Sequence, residues 1–289
     1  MLELLNASKD PCGYSIEEWR KELWRIELRL SLFLDGVCKE NHLSYFLIGG
    51  GAIGAERHKG FIPWDDDLDF GMKRDQFDKL VTLLKTKYKD CGYAIQYGTH
   101  GNFVSFLLRI RDTNSTGLVL SEKKYSKECH GVFIEIYPFD NVPNSFLLKK
   151  KQQLVARFLT GLLSAKMDDD NKCFSYRLLR FLGKHTSSSS IWRKLIKNSI
   201  KYNKKQTRFV DTPSLSHYYS LGIHHFLRMW IDETHYAPFE KIELPICSGN
   251  YQCLELQYGD FLELPPLDQR GKYHEQAIYY DPYHIDRWK

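Results

Sequence analysis

The feature that most constrains how this chain can fold is a run of four carboxylates in five positions, Asp65-Asp66-Asp67-Leu68-Asp69. Phe61-Ile62-Pro63-Trp64 precedes it and Phe70-Gly71 follows it. An acidic run at a surface sits among polar, turn-forming residues, whereas this one has the apolar flanks of an interior strand. Side chains alternate along a strand, so Asp65, Asp67 and Asp69 are expected on one face, with Asp66, Leu68 and Phe70 turned to the other. Three anions on one face repel each other unless a cation lies between them. The fitting counter-charge is a hard divalent ion, Mg2+ or Mn2+, held by carboxylate oxygens together with substrate phosphate oxygens. A solvated acidic turn is the competing reading.

Just upstream, Tyr45-Phe46-Leu47-Ile48 reads as a short buried strand running into Gly49-Gly50-Gly51-Ala52-Ile53-Gly54-Ala55. A glycine-rich strand-to-helix junction lets backbone N–H groups approach a phosphate, and the helix dipole favours the negative charge. Gly50, Gly51 and Gly54 are therefore candidate phosphate contacts. The segment lacks the Gly-Lys-Ser/Thr ending of a P-loop and fits the dinucleotide fingerprint poorly. On its own it is equally a set of tight-turn glycines. Arg57 and Lys59, between the turn and the acidic run, are candidate phosphate clamps. Arg57 ranks first because a guanidinium binds phosphate through a planar fork. His58 reads as structural or as a general base. Glu135 stands alone among the apolar residues Phe133-Ile134 and Ile136-Tyr137. An unpaired buried carboxylate is costly, so it is expected to complete the metal site or orient a nucleophile. A salt bridge to Arg109 or Arg111 is the alternative, and Asp140 is the weaker substitute.

The rest of the pattern frames these residues. Ser15 to Cys38 has Trp19, Leu23, Ile26, Leu30, Phe33 and Leu34 at helical spacing, with Ser15 and Glu18 resembling a capping box. Arg74 to Lys87 reads as a second helix. Tyr93 to Tyr97, Phe103 to Ile110 and Val132 to Tyr137 read as strands. Beyond Asn144 the pattern turns helical, with Ser187 to Ser190 as a loop and a last helix over Tyr251 to Phe261 ahead of Pro265-Pro266. The expected architecture is α/β (α+β), a mixed-sheet core with a mostly helical, basic C-terminal half. The boundaries fall at 1–143 for the catalytic core, 144–235 for a basic helical insert and 236–289 for a segment packing back on the core.

Charge is divided in the same way. Between Pro143 and Val210, 16 Lys/Arg meet three acids, whereas the net charge of the whole chain is +5. Solvated helix faces explain such a run. So does an anionic partner, and Trp192, Leu195 and Ile196 beside the cations of Ile191 to Ile200 point to an amphipathic helix at an anionic membrane surface rather than to nucleic acid. No basic leader with an apolar run and no long apolar span is visible, so a cytoplasmic protein, peripheral on the inner face of the membrane, is expected. The seven scattered cysteines match no common zinc spacing and read as free thiols.

The segment from Gly49 to Asp69, with Arg57-His58-Lys59-Gly60-Phe61-Ile62-Pro63-Trp64-Asp65-Asp66-Asp67 at its centre, closely resembles the signature of the LicD family, phosphocholine transferases related to fukutin and fukutin-related protein. Gly131 to Asp140 and Tyr258 to Pro266 resemble further segments of that family. The resemblance implies a nucleotidyltransferase-like core and metal-dependent transfer of phosphocholine, or a related phospho-alcohol, from CDP-choline or a similar CDP-alcohol to a hydroxyl of a cell-surface glycan, with release of CMP. By position it implies Asp65, Asp67 and Asp69 as the metal motif. Glu135 stands where the family usually has Asp, and Gly51 where a small or hydroxyl residue is common. Two other functions remain compatible with the residues: a stand-alone nucleotidyltransferase moving NMP from an NTP, and a non-enzymatic glycan- or lipid-binding module.

Overall fold

The structure, a computed structural model, describes residues 13–100, 103–119, 128–167, 173–213, 225–271 and 277–281. In chain order the elements are α1 (Glu18–Glu40), β1 (Phe46–Ile48), α2 (Gly49–Arg57), β2 (Asp69–Lys73), α3 (Arg74–Lys85), β3 (Tyr93–His100), β4 (Phe103–Asp112), β5 (Thr116–Val119) and β6 (Phe133–Val142). There follow α4 (Phe146–Met167), α5 (Phe174–Gly183), α6 (Ser188–Ser199), β7 (Phe209–Asp211), β8 (Phe226–Leu227), α7 (Arg228–Ile231), β9 (Thr234–Phe239), β10 (Ile242–Cys247), α8 (Asn250–Tyr258) and β11 (Ala277–Asp281). The α+β class expected from the sequence is borne out. The chain divides into two compact units, one of Met1–Gln96, Leu108–Tyr137 and Trp230–Lys289, the other of Tyr97–Leu107 and Pro138–Met229.

In the first unit the strands follow the order β1-β2-β6-β4-β3. β1 and β2 are antiparallel with Leu47 opposite Phe70 and Ile48 opposite Asp69. That register sets the last residue before the glycine turn across from the last aspartate of the acidic run. β4 and β6 are antiparallel with Arg109 opposite Glu135. α1 supplies a buried stripe of Leu23, Trp24, Leu30 and Leu34, as its spacing requires. Trp24 stacks on Phe61 at 4.9 Å and Phe61 meets Phe239 edge-on at 5.0 Å. This aromatic column anchors the chain just ahead of the acidic run.

Three local expectations change. α1 is capped at Glu17 with no side-chain cap bond, so the Ser15–Glu18 capping box does not form. The serine run is not a loop: Ser187 caps α6 and its Oγ accepts the Ser190 N–H, the role for which serine is preferred. The acidic run is not a strand. Only Asp69 belongs to β2, and residues 65–68 form an irregular segment. Four neighbouring carboxylates in a flat ladder would be held close with no freedom to turn apart, and Pro63 ahead of them already removes a ladder donor.

The glycines of α2 explain how that segment can lie against the helix. A Cβ on Gly54 would stand 2.2 Å from the Gly60 carbonyl oxygen, and one on Gly51 would stand 2.8 Å from Leu68 Cδ1. Gly50 would drive a Cβ to 2.0 Å from Asp65 Oδ2.

The second unit has its own core, in which Ala156, Leu159, Leu162 and Leu163 of α4 pack with Ile191 and Leu195 of α6. Trp192 packs against this cluster and donates its indole N–H to the Ser105 carbonyl at 3.0 Å. The apolar side of α6 is thus internal, which removes it as the membrane-facing helix suggested by its sequence.

Gly54→Ala is expected to lower stability by about 1–3 kcal/mol, because the obstructing atom is backbone and cannot rotate away. Equilibrium denaturation checks this, and wild-type stability would refute the packing role.

Candidate active site

The site gathers on the first unit around the acidic segment, and α1 holds that segment in place. Arg20 Nη1 and Trp24 Nε1 both donate to the Asp65 carbonyl, at 2.9 and 3.1 Å. Both donors are buried. From the C-terminal side Tyr280, stacked on Trp19 at 5.7 Å, donates its hydroxyl to Asp66 Oδ2 at 2.7 Å. The Asp66 N–H donates to Asp65 Oδ1 at 3.2 Å. The backbone at Leu68 is tied to β6 by the Glu135 N–H, at 3.4 Å.

This anchoring decides which carboxylates converge. Asp65, Asp66 and Asp67 each present an oxygen, all within 4.8 Å of one another. Asp66, expected to turn away, is therefore one of the converging three. Asp69 lies beside them on β2 and opposite Ile48. Alternation failed as a guide because it holds only for extended strand, and the segment is not one.

Electrostatics records the crowding. Burial, then Asp65, Asp69, Asp66 and Glu27, push Asp67 well above the usual carboxylate range. Burial, then Glu135 and Asp65, raise Asp69 likewise, with Arg109 partly offsetting them. Glu27 of α1 is raised by its burial and by Asp66, Asp65 and Asp69. Glu27 was absent from the sequence reading, although the signal was there: it is an acid on the buried stripe between Leu23 and Leu30.

Glu135 is held on both oxygens. Arg109 Nε donates to Oε1 at 2.5 Å and the Tyr137 hydroxyl donates to Oε2 at 2.8 Å. The salt-bridge alternative to a ligand role is thus the one that forms, and cross-strand register creates it. Arg111 goes elsewhere, to Gln96 Oε1 at 2.6 Å and the Gly131 carbonyl at 2.8 Å. Asp140 belongs to the second unit, where Asn203 and Ser199 donate to its two oxygens.

Among the candidate phosphate contacts, Gly50 lies against Asp65 and Gly51 against Leu68, whereas Gly54 faces Gly60. Arg57 lies at the far end of α2, about 12 Å along the axis from its first residue. There its Nη1 donates to the Phe261 carbonyl at 2.7 Å and the Glu263 carbonyl at 3.2 Å. His58 accepts from Arg57 Nε at 2.9 Å. Lys59 is exposed, adopts a left-handed conformation (φ 59°) and gives its carbonyl to the Glu240 N–H at 2.7 Å. Arg57 and its neighbours therefore brace the C-terminal segment.

The residues fit a hard divalent cation. The donors are all carboxylate oxygens, and two further buried oxygens, Asp69 Oδ1 and Glu27 Oε2, have no hydrogen-bond partner among the described residues. Such a set is stable when a cation shares the charge or protons neutralise it.

A glycine-led helix thus lies beside a converging acid cluster on a mixed sheet. Residues 42–157 match the LicD/FKTN/FKRP nucleotidyltransferase domain, which bears out the resemblance seen in the sequence. The chain is 28% identical over 256 residues to the lipopolysaccharide cholinephosphotransferase LicD of Haemophilus influenzae, covering 86% of this chain and 92% of that protein. It is also 36% identical over 58 residues to an uncharacterised protein of Rickettsia prowazekii, covering 20% of this chain and 21% of that one. A protein of Rickettsia typhi matches at 36% over 81 residues, 26% of each.

A pH dependence follows from the raised carboxylates. An acid whose pKa is higher folded than unfolded holds extra protons in the native state, so stability is greatest below about pH 4 for that group and falls as pH rises through the folded value. In chelator, Asp67→Asn is expected to melt above wild type at pH 7.5, with the gap narrowing toward pH 5. Thermal melts across that range check this; a gap that widens on acidification would contradict it.

Proposed function

We propose that the chain is a phosphocholine-type transferase that moves the phospho-alcohol of a CDP-activated donor, such as CDP-choline, to a hydroxyl of a cell-surface glycan and releases CMP. The observation that carries this is the convergence of Asp65, Asp66 and Asp67 beside Gly50 at the start of α2. The match over most of its length to a lipopolysaccharide cholinephosphotransferase supports the substrate class.

Asp65, Asp66 and Asp67 would hold a divalent ion, Mg2+ or Mn2+. Bound there, it would stabilise the charge that builds on the donor phosphates during transfer. The open N–H groups at the N-terminus of α2 offer donors to the same phosphates. The acceptor oxygen forms a bond to the distal phosphorus as the bond from that phosphorus to the bridging oxygen breaks, and CMP leaves with the electron pair. Asp65 suits the acceptor proton better than Glu135, whose oxygens already serve Arg109 and Tyr137. Glu135 instead fixes Arg109, whose charge partly offsets that at Asp69.

The acceptor class adds a membrane surface to the reading. No helix among the described residues is long and apolar enough to cross a membrane. Within the second unit, however, α5 exposes Phe174, Leu178, Phe181 and Leu182, with Phe174 78% and Phe181 73% exposed. These positions share one helical face, with Arg177, Arg180 and Lys184 close by in sequence. An apolar face bordered by cations suits the interface of an anionic bilayer at the cytoplasmic side. α5 thus takes the role that the sequence suggested for α6.

Two experiments test these parts separately. Incubation with CDP-choline and Mg2+ should release CMP while CTP yields no pyrophosphate, and Asp67→Asn should lower turnover roughly a hundredfold or more. Pyrophosphate release from CTP would favour the nucleotidyltransferase reading, and near-normal turnover of the variant would sink the cluster's role. In flotation with anionic vesicles, Phe174→Ser with Phe181→Ser should abolish binding of an enzyme whose CDP-choline hydrolysis is intact. Unchanged flotation would exclude α5 as the docking face.

A further inference from the structure

Glu27 lies outside the stretch that matches the family domain, which begins at residue 42. It is nevertheless close enough to feel the charges of Asp66, Asp65 and Asp69, and its placement follows from the helix. Arg20, Trp24 and Glu27 recur at i, i+4 and i+7, so they share one side of α1. The first two donate to the Asp65 carbonyl, and Glu27 is the next position along the row that grips the acidic segment. Its side chain is 1% exposed, and Oε2 has no hydrogen-bond partner among the described residues. An apolar residue at this position would continue the Leu23, Leu30 and Leu34 stripe at no electrostatic cost. A buried acid here, facing other acids, has no packing rationale.

We propose that Glu27 is a positioning residue of the cation site, a carboxylate supplied by α1 that strengthens divalent-ion binding from outside the three contact ligands. It is not among the oxygens lying within 4.8 Å of one another, so it would act through its charge rather than as a contact ligand. Carboxylates in this outer position commonly contribute to metal affinity as much as some ligands do. α1 then does two things for the site: Arg20 and Trp24 set the backbone of the acidic segment, and Glu27 sets its charge. The family domain alone, starting after α1, would lack both.

The proposal rests on the cation reading of the site, and the test separates the two. Mn2+ binding is titrated by the paramagnetic resonance signal of the free ion for wild type, Glu27→Gln and Glu27→Leu, the last of which continues the apolar stripe should the buried amide impair folding. Melting temperatures are taken in chelator and in excess Mn2+. Expected are wild-type binding near one ion per chain, affinity reduced about tenfold or more in both variants, and variants that melt above wild type in chelator with the advantage lost in Mn2+. A residue needed only for packing would instead lower the melting temperature in both conditions and leave the affinity of the folded protein unchanged, which would overturn the proposal. Absence of Mn2+ binding by wild type would overturn the cation reading itself.

Discussion

Like charges buried together are the constraint on which this structure turns. Glu27, Asp65, Asp66 and Glu135 are each less than 5% exposed, and Asp67 and Asp69 are partly buried among them. Taking a carboxylate out of water costs several kcal/mol unless it is compensated, and repulsion between neighbouring carboxylates adds to that cost. Among the described residues, Arg109 is paired with Glu135 and partly offsets the charge at Asp69, while Arg20 donates to a backbone carbonyl and partly offsets Glu27. Burial first, then neighbouring acids, raise Asp67, Asp69 and Glu27 well above the usual carboxylate range. Packing that tolerates such an arrangement has to be rigid, and the scaffold supplies that rigidity from three directions.

α1 holds the segment by its carbonyl, Tyr280 holds Asp66, and β6 holds the backbone at Leu68. Together they fix the geometry of the acidic segment. The α2 glycines serve the same end by bringing a helix start within reach of Asp65, where any larger residue at position 50 would displace it. Glycine here is a matter of close approach more than of backbone freedom.

Much of the site was legible in the sequence. The acidic run, the glycine turn, the β4 and β6 strands and the Arg109–Glu135 alternative could all be read from spacing and apolar context, because they depend on neighbours within a few residues. Errors arose where distant contacts overrode a local rule. Alternation placed Asp66 away from the cluster, but α1 and Tyr280 bend the segment out of strand geometry. Arg57 read as a phosphate clamp from its chemistry, whereas Phe261 and Glu263, some two hundred residues on, take its guanidinium. α6 read as an interfacial helix from its composition, yet its apolar side meets α4.

By itself the sequence determined the chemical character of this protein: a dense acidic run close to a glycine-led helix, an α+β core and a basic helical region. These follow from residue types and short spacings, which survive any arrangement of the remainder. Only the tertiary structure decided which carboxylates converge, that Glu27 of α1 is buried within range of their charge, and that Arg57 braces the C-terminal segment. It also decided that α5 rather than α6 exposes an apolar face. Those outcomes depend on which surfaces the fold brings together, and a pairing between residues far apart in the chain leaves no mark in the local pattern of either.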